Sequence, residues 1–104
     1  MATREKIEMD FKRAIRQADK IDSIANRLGT LSGEKFGGSM QNLSACWKGE
    51  NASLYLGKGG RLQGKMNGTA NELHAIARDI RTVAKRLYNA EMAALAIASS
   101  RTYH

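Results

Sequence analysis

The residues able to do chemistry are few and scattered. Cys46 is the only cysteine and the two histidines are His74 and His104. No histidine neighbours the thiol in sequence, and no Cys or His spacing matches a zinc site. A lone cysteine cannot close an internal disulfide. Beside Trp47, Cys46 reads first as a small buried apolar residue; the alternatives are an intermolecular disulfide or a reactive thiol. No carboxylate pair or His-centred constellation offers acid–base or nucleophilic catalysis. "GKGG" at 57–60 lacks the strand, the full spacing and the Ser/Thr of a phosphate loop. Three N-x-Ser/Thr sequons, at Asn42, Asn51 and Asn67, read as chance. The expected function is therefore binding, not catalysis, with no cofactor and no metal.

The net charge of +7 raises a second class. A basic chain can bind nucleic acid. Residues 1–46 carry +2 and residues 47–104 carry +5, so the excess lies in the second half. Yet the cations stand singly at helical spacing, and aromatics are only 6% of the chain, few for base stacking. A solvated helix face accounts for them better, and nucleic-acid binding is kept as the alternative function.

The elements that must position any binding residue are helices. The 104 residues suit one domain, Pro is absent, and helix formers dominate. No apolar run approaches a membrane span. "MATREKIEMDFKRAIRQ" is charged and has no apolar h-region, so no cleavable secretory leader is expected.

In the first half, Ile7, Phe11, Ala14, Ala18, Ile21, Ala25 and Leu28 follow gaps of four and three, the seam of packed helices. The pattern resumes at Phe36, Met40, Leu43 and Trp47. The eight-residue step from Leu28 to Phe36 is a phase slip of one, so a bend, a changed winding or a short break is expected there. In the second half, the row Ala52, Tyr55, Gly59, Leu62, Met66, Thr69, Leu73, Ile76, Ile80, Val83, Leu87, Ala90, Ala94 and Ile97 runs without a slip. Five glycines fall within 56–68, but the apolar phase survives them, so the helix is expected to continue. Gly60, Gly64 and Gly68 share one side and would admit another backbone closely.

Between the arms lies "SACWKGEN". Gly49 can end a helix and Asn51 can cap the next. A short connection makes the arms antiparallel. The expected fold is all-α: a two-helix hairpin over 1–98, with a helix over about 3–46, a turn over about 47–50, a helix over about 51–98, and a disordered tail at 99–104. Each arm would be roughly 60–70 Å long. The apolar stripes exceed one two-helix seam. Ile15, Ile24, Leu56 and the row Ala70, Ala77, Ala84 would stay wet in a monomer, so these residues and the three spaced glycines are the expected interface of a homo- or heterodimeric four-helix bundle.

A helical chain of about a hundred residues with Trp47-Lys48-Gly49 at its midpoint, then Ala52 and Tyr55, resembles the WXG family of small proteins of type VII (ESX-type) secretion. The resemblance covers nearly the whole chain. It implies export without a cleavable leader from a cytoplasmic pool, and partners that are the secretion apparatus, a related hairpin, or the helical N-terminal domain of a toxin effector. It also implies that a C-terminal Tyr followed four residues later by an acid is part of the export signal. Here Tyr88 is followed by Glu91, three residues on, with Met92 at the family's acidic position. Positions three and four apart share a helix face, so Tyr88 and Glu91 can still form one surface; otherwise Tyr88 only covers the flank of the bundle. Trp47 is expected to pack in the crevice between the helices and fix the hairpin.

Overall fold

The computed structural model describes residues 3–102, which are helical from Arg4 onward except around the central turn. Helix α1 spans Arg4–Thr30. One π-helical turn, Leu31–Phe36, follows without a break, then α2 over Gly37–Cys46. After the turn, α3 runs over Glu50–Thr102. There is no strand among the described residues. Residues 103–104 of the expected tail lie outside the described residues. Ser99–Thr102 are helical, which corrects the expected disorder from 99: no Gly or Pro stops the helix near Ile97.

The start of α1 is set locally. Thr3 Oγ1 accepts the Lys6 amide at 3.1 Å as an N-cap. Arg4–Glu8 and Lys6–Asp10 form i,i+4 pairs on the exposed surface, together worth under about 1 kcal/mol. Packing, not these pairs, holds the helix.

Two compact units share these helices. The first combines residues up to Ile21 with those from Ala75. Phe11 packs on Tyr88, with ring centroids 5.0 Å apart, and Asp19 accepts Arg81 Nη2 at 2.8 Å, so the two stretches run antiparallel. Ile7, Ala18, Ala77 and Ala84 are buried there. In a unit of two helical stretches, each alanine can be covered only by the opposite helix. The seam is thus built on small side chains, which let helix axes approach closely.

The second unit, Asp22–His74, is a helical hairpin. Asp22 Oδ1 lies 2.8 Å from His74 Nδ1. At the π turn, Ser32 is fully buried. Its hydroxyl donates to the Gln63 carbonyl at 3.1 Å, and Gln63 Nε2 donates back to the Ser32 carbonyl at 2.9 Å. The Gly37 amide also reaches the Ser32 carbonyl, the i→i−5 bond of a π turn. The one-residue phase slip between Leu28 and Phe36 falls on this turn. The extra residue is taken up as wider winding, which keeps both flanking helices on the same partner. Further along, Gly59 leaves room for Met40, whose thioether a Cβ there would strike.

The chain reverses at Trp47–Gly49. Trp47 is extended at φ −113° and ψ 120°, and Gly49 takes φ 109°, a region side chains resist. The Ser53 amide donates to the Gly49 carbonyl at 3.0 Å, so Gly49 holds the cap position. Asn51 lies inside α3, which corrects its expected role as N-cap. The glycine-rich stretch 56–68 is continuous helix.

Candidate functional site

The tip differs from its expected form. Trp47 is 38% exposed. Its ring stacks on Tyr55 at 6.0 Å between centroids and 16° between planes, and Lys58 Nζ stands 5.3 Å from the Tyr55 centroid. The extended backbone at Trp47 turns the indole onto Tyr55 in the second turn of α3 instead of into a crevice. Every residue from Gln41 to Glu50 is exposed. Cys46 is among them, correcting the buried expectation; its thiol donates weakly to the Asn42 and Leu43 carbonyls at 3.4 and 3.6 Å. The tip therefore presents Leu43, Trp47, Leu54 and Tyr55 to solvent.

Tyr88 and Glu91 are both half-buried and line one cleft of about 70 Å³ with Ile7, Asp10, Phe11, Ala14, Ala84 and Leu87. The three-residue spacing thus does bring them to one surface. Phe11, a residue of the expected α1 seam, packs its ring against Tyr88. Its four-residue spacing from Ile7 gave the helix face but not the partner. Asp10 at the rim is already paired with Lys6.

The expected interface residues divide. Ile24 is exposed, Ile15 and Leu56 are half-buried, and Gly60, Gly64 and Gly68 are exposed with open space where a side chain would begin. Ala70, Ala77 and Ala84 are buried within their own units. They cannot be offered to a partner while the helices stay paired, so their place at an outer interface is corrected. The expected α3 seam is kept only in part: Ala52 is buried and Met66, Leu73 and Ile80 are half-buried, but Ile76, Val83 and Leu87 are 48%, 51% and 55% exposed. The physical reason is size. Two helices gain more close contact across methyl groups than across branched side chains, and the branched row then lies beside the seam, facing water. Repeated Ala at 70, 77 and 84, facing the alanine-bearing α1, was the signal for this.

Among the described residues no group of three or more His, Cys, Asp or Glu is placed to hold a metal, and no helix is long and apolar enough to cross a membrane. His74 lies 2.8 Å from Asp22, and His104 lies outside the described residues. Comparison with protein-family models, curated proteins and solved structures finds no match to this chain.

Proposed function

We propose that this chain is a non-enzymatic helical binding protein of type VII secretion, exported itself or guiding a larger effector to the apparatus. The observation that carries the proposal is the Trp47-Lys48-Gly49 turn at mid-chain, with Gly49 at φ 109° joining two long helical arms. The Tyr88–Glu91 cleft supports it as an export signal on the second arm, despite an acid one residue early. The exposed Ile76–Val83–Leu87 row supports a helical partner that completes a four-helix bundle: a second copy, a related hairpin, or the helical N-terminal domain of an effector. Export proceeds from a cytoplasmic pool.

Co-purification from the native cell tests the proposal. The tagged chain is expected to bring down apparatus components or an effector, and the Tyr88→Ala variant to lose the apparatus. Recovery of nucleic acid alone, with a steep loss on added salt, would transfer the function to the basic surface instead.

A further inference from the structure

Folding gathers positive charge that the sequence keeps apart. Residues 12–20 hold four cations and one acid, and residues 78–86 hold the same, so the two stretches carry +6 of the net +7. Both belong to the first unit, where the Asp19–Arg81 bond of 2.8 Å sets them side by side. At about 100° per residue, Lys12, Arg16 and Asp19 fall within about 60° of one another around α1. Arg78, Arg81 and Lys85 likewise fall within about 60° around α3. The Asp19–Arg81 bond joins these two edges into one flank, about 11 Å long, that bears five cations. Arg81 is held by Asp19, but Lys12, Arg16, Arg78 and Lys85 are exposed and have no ion pair among the described residues. The second acid, Asp79, lies about 100° or more around α3 from this edge, where it borders the apolar groove with Ile76 and Val83.

We propose that this flank binds the phosphate backbone of double-stranded nucleic acid without regard to sequence, a function separate from the secretion role. Duplex DNA carries one charge per about 1.7 Å of its axis, so about six phosphates pass along the flank. Each phosphate neutralised by Lys or Arg releases condensed counterions, so the four free cations give affinity without close shape fit. Arg16 and Arg78 also present guanidinium forks that match phosphate oxygens. An acidic protein carries no such counterion layer, and its exposed carboxylate pairs would be worth only about 0–1 kcal/mol each. It would need apolar contact besides, as would a bilayer surface. The flank offers little: Val83 of the exposed apolar row lies about 140° or more around α3 from it. Phe11 and Tyr88 beside it pack on each other, so neither ring is free to stack a base, and contact is with the backbone alone.

Fluorescence anisotropy of a labelled random-sequence DNA duplex of about 20 base pairs, titrated with the full chain over a salt series, tests the assignment. The expected dissociation constant is on the order of 10 µM or tighter at about 50 mM salt, with a log–log salt slope of about −3.6 for four engaged phosphates. Arg78→Gln/Lys85→Gln and Lys12→Gln/Arg16→Gln, each shown to be helical by circular dichroism, should each weaken binding about tenfold or more and shrink the slope by about two. Arg61→Gln/Lys65→Gln removes the same charge from the other unit and should change binding less than about threefold. No binding at low salt, a flat slope, or a loss with Arg61→Gln/Lys65→Gln as large as with the flank variants overturns the proposal. Equal or tighter binding to polyglutamate or to phosphatidylglycerol vesicles also overturns it, reassigning the flank to an acidic protein or a lipid surface. None of these readouts involves export, so duplex binding and the secretion role stand or fall separately.

Discussion

Replacing Ala77 with Leu puts an isobutyl group where the first unit has room for a methyl. Ala77 and Ala18 have no exposed surface, and Ala84 is nearly as buried. The added carbons must push α1 and α3 apart or force a strained rotamer, a cost of about 1–3 kcal/mol. About 2 kcal/mol corresponds to a melting-temperature loss of roughly 10–15 °C in a domain of this size. The neighbouring change Ile76→Ala acts in the opposite way. Ile76 is half exposed, so it forfeits about half of the ~1.5–3 kcal/mol of a fully buried side chain. The better helix propensity of Ala returns several tenths of a kcal/mol, for a net loss under about 1 kcal/mol. Both substitutions are to be followed by thermal and urea unfolding with circular dichroism at two or more protein concentrations. Ala77→Leu should be the more damaging. The reverse order, with Ile76→Ala costing the ~2–5 kcal/mol of a core truncation, would mean that the branched row is the seam and would refute the close-packed alanine contact.

Trp47→Ala should cost about 0.5–1.5 kcal/mol, the worth of one ring stack on Tyr55, and a thermal melt should show only a shift of several degrees. Ser32→Ala removes the hydroxyl bonded to the Gln63 carbonyl. It should cost about 1 kcal/mol and speed amide exchange within Leu31–Phe36 in hydrogen-exchange mass spectrometry. The exposed Cys46 should react fully with an aromatic disulfide reagent in native buffer; protection until denaturant is added would return it to the interior.

The helices and the reversal were legible because each depends on local chemistry. Heptad spacing sets the arms, and Gly49 supplies a φ that other residues resist. The single-residue slip between Leu28 and Phe36 located the π turn, since an added residue in a packed helix must be absorbed by winding. Its Ser32–Gln63 bonds were not legible, because a reciprocal side-chain-to-backbone pair across two helices leaves no periodic trace. The choice of seam misled for a definite reason. Counting apolar residues ranks Ile76, Val83 and Leu87 above Ala70, Ala77 and Ala84, whereas two paired helices rank them by how closely the backbones can approach. The Tyr88–Glu91 surface was legible from helix geometry, but Phe11 beneath it was not, because its register against α3 is a tertiary fact. At the tip, the extended backbone of Trp47 put its ring on Tyr55, an outcome that residue type alone does not determine.

The proposed export role makes the Tyr88–Glu91 cleft the surface read by the type VII apparatus. The most direct measurement is the amount of chain released into the medium by the native cell, against a cytoplasmic marker for lysis. The wild type should be released, while Tyr88→Ala and Glu91→Ala, each shown to be folded by circular dichroism, should stay in the cell. Release of both variants at the wild-type level would contradict the account.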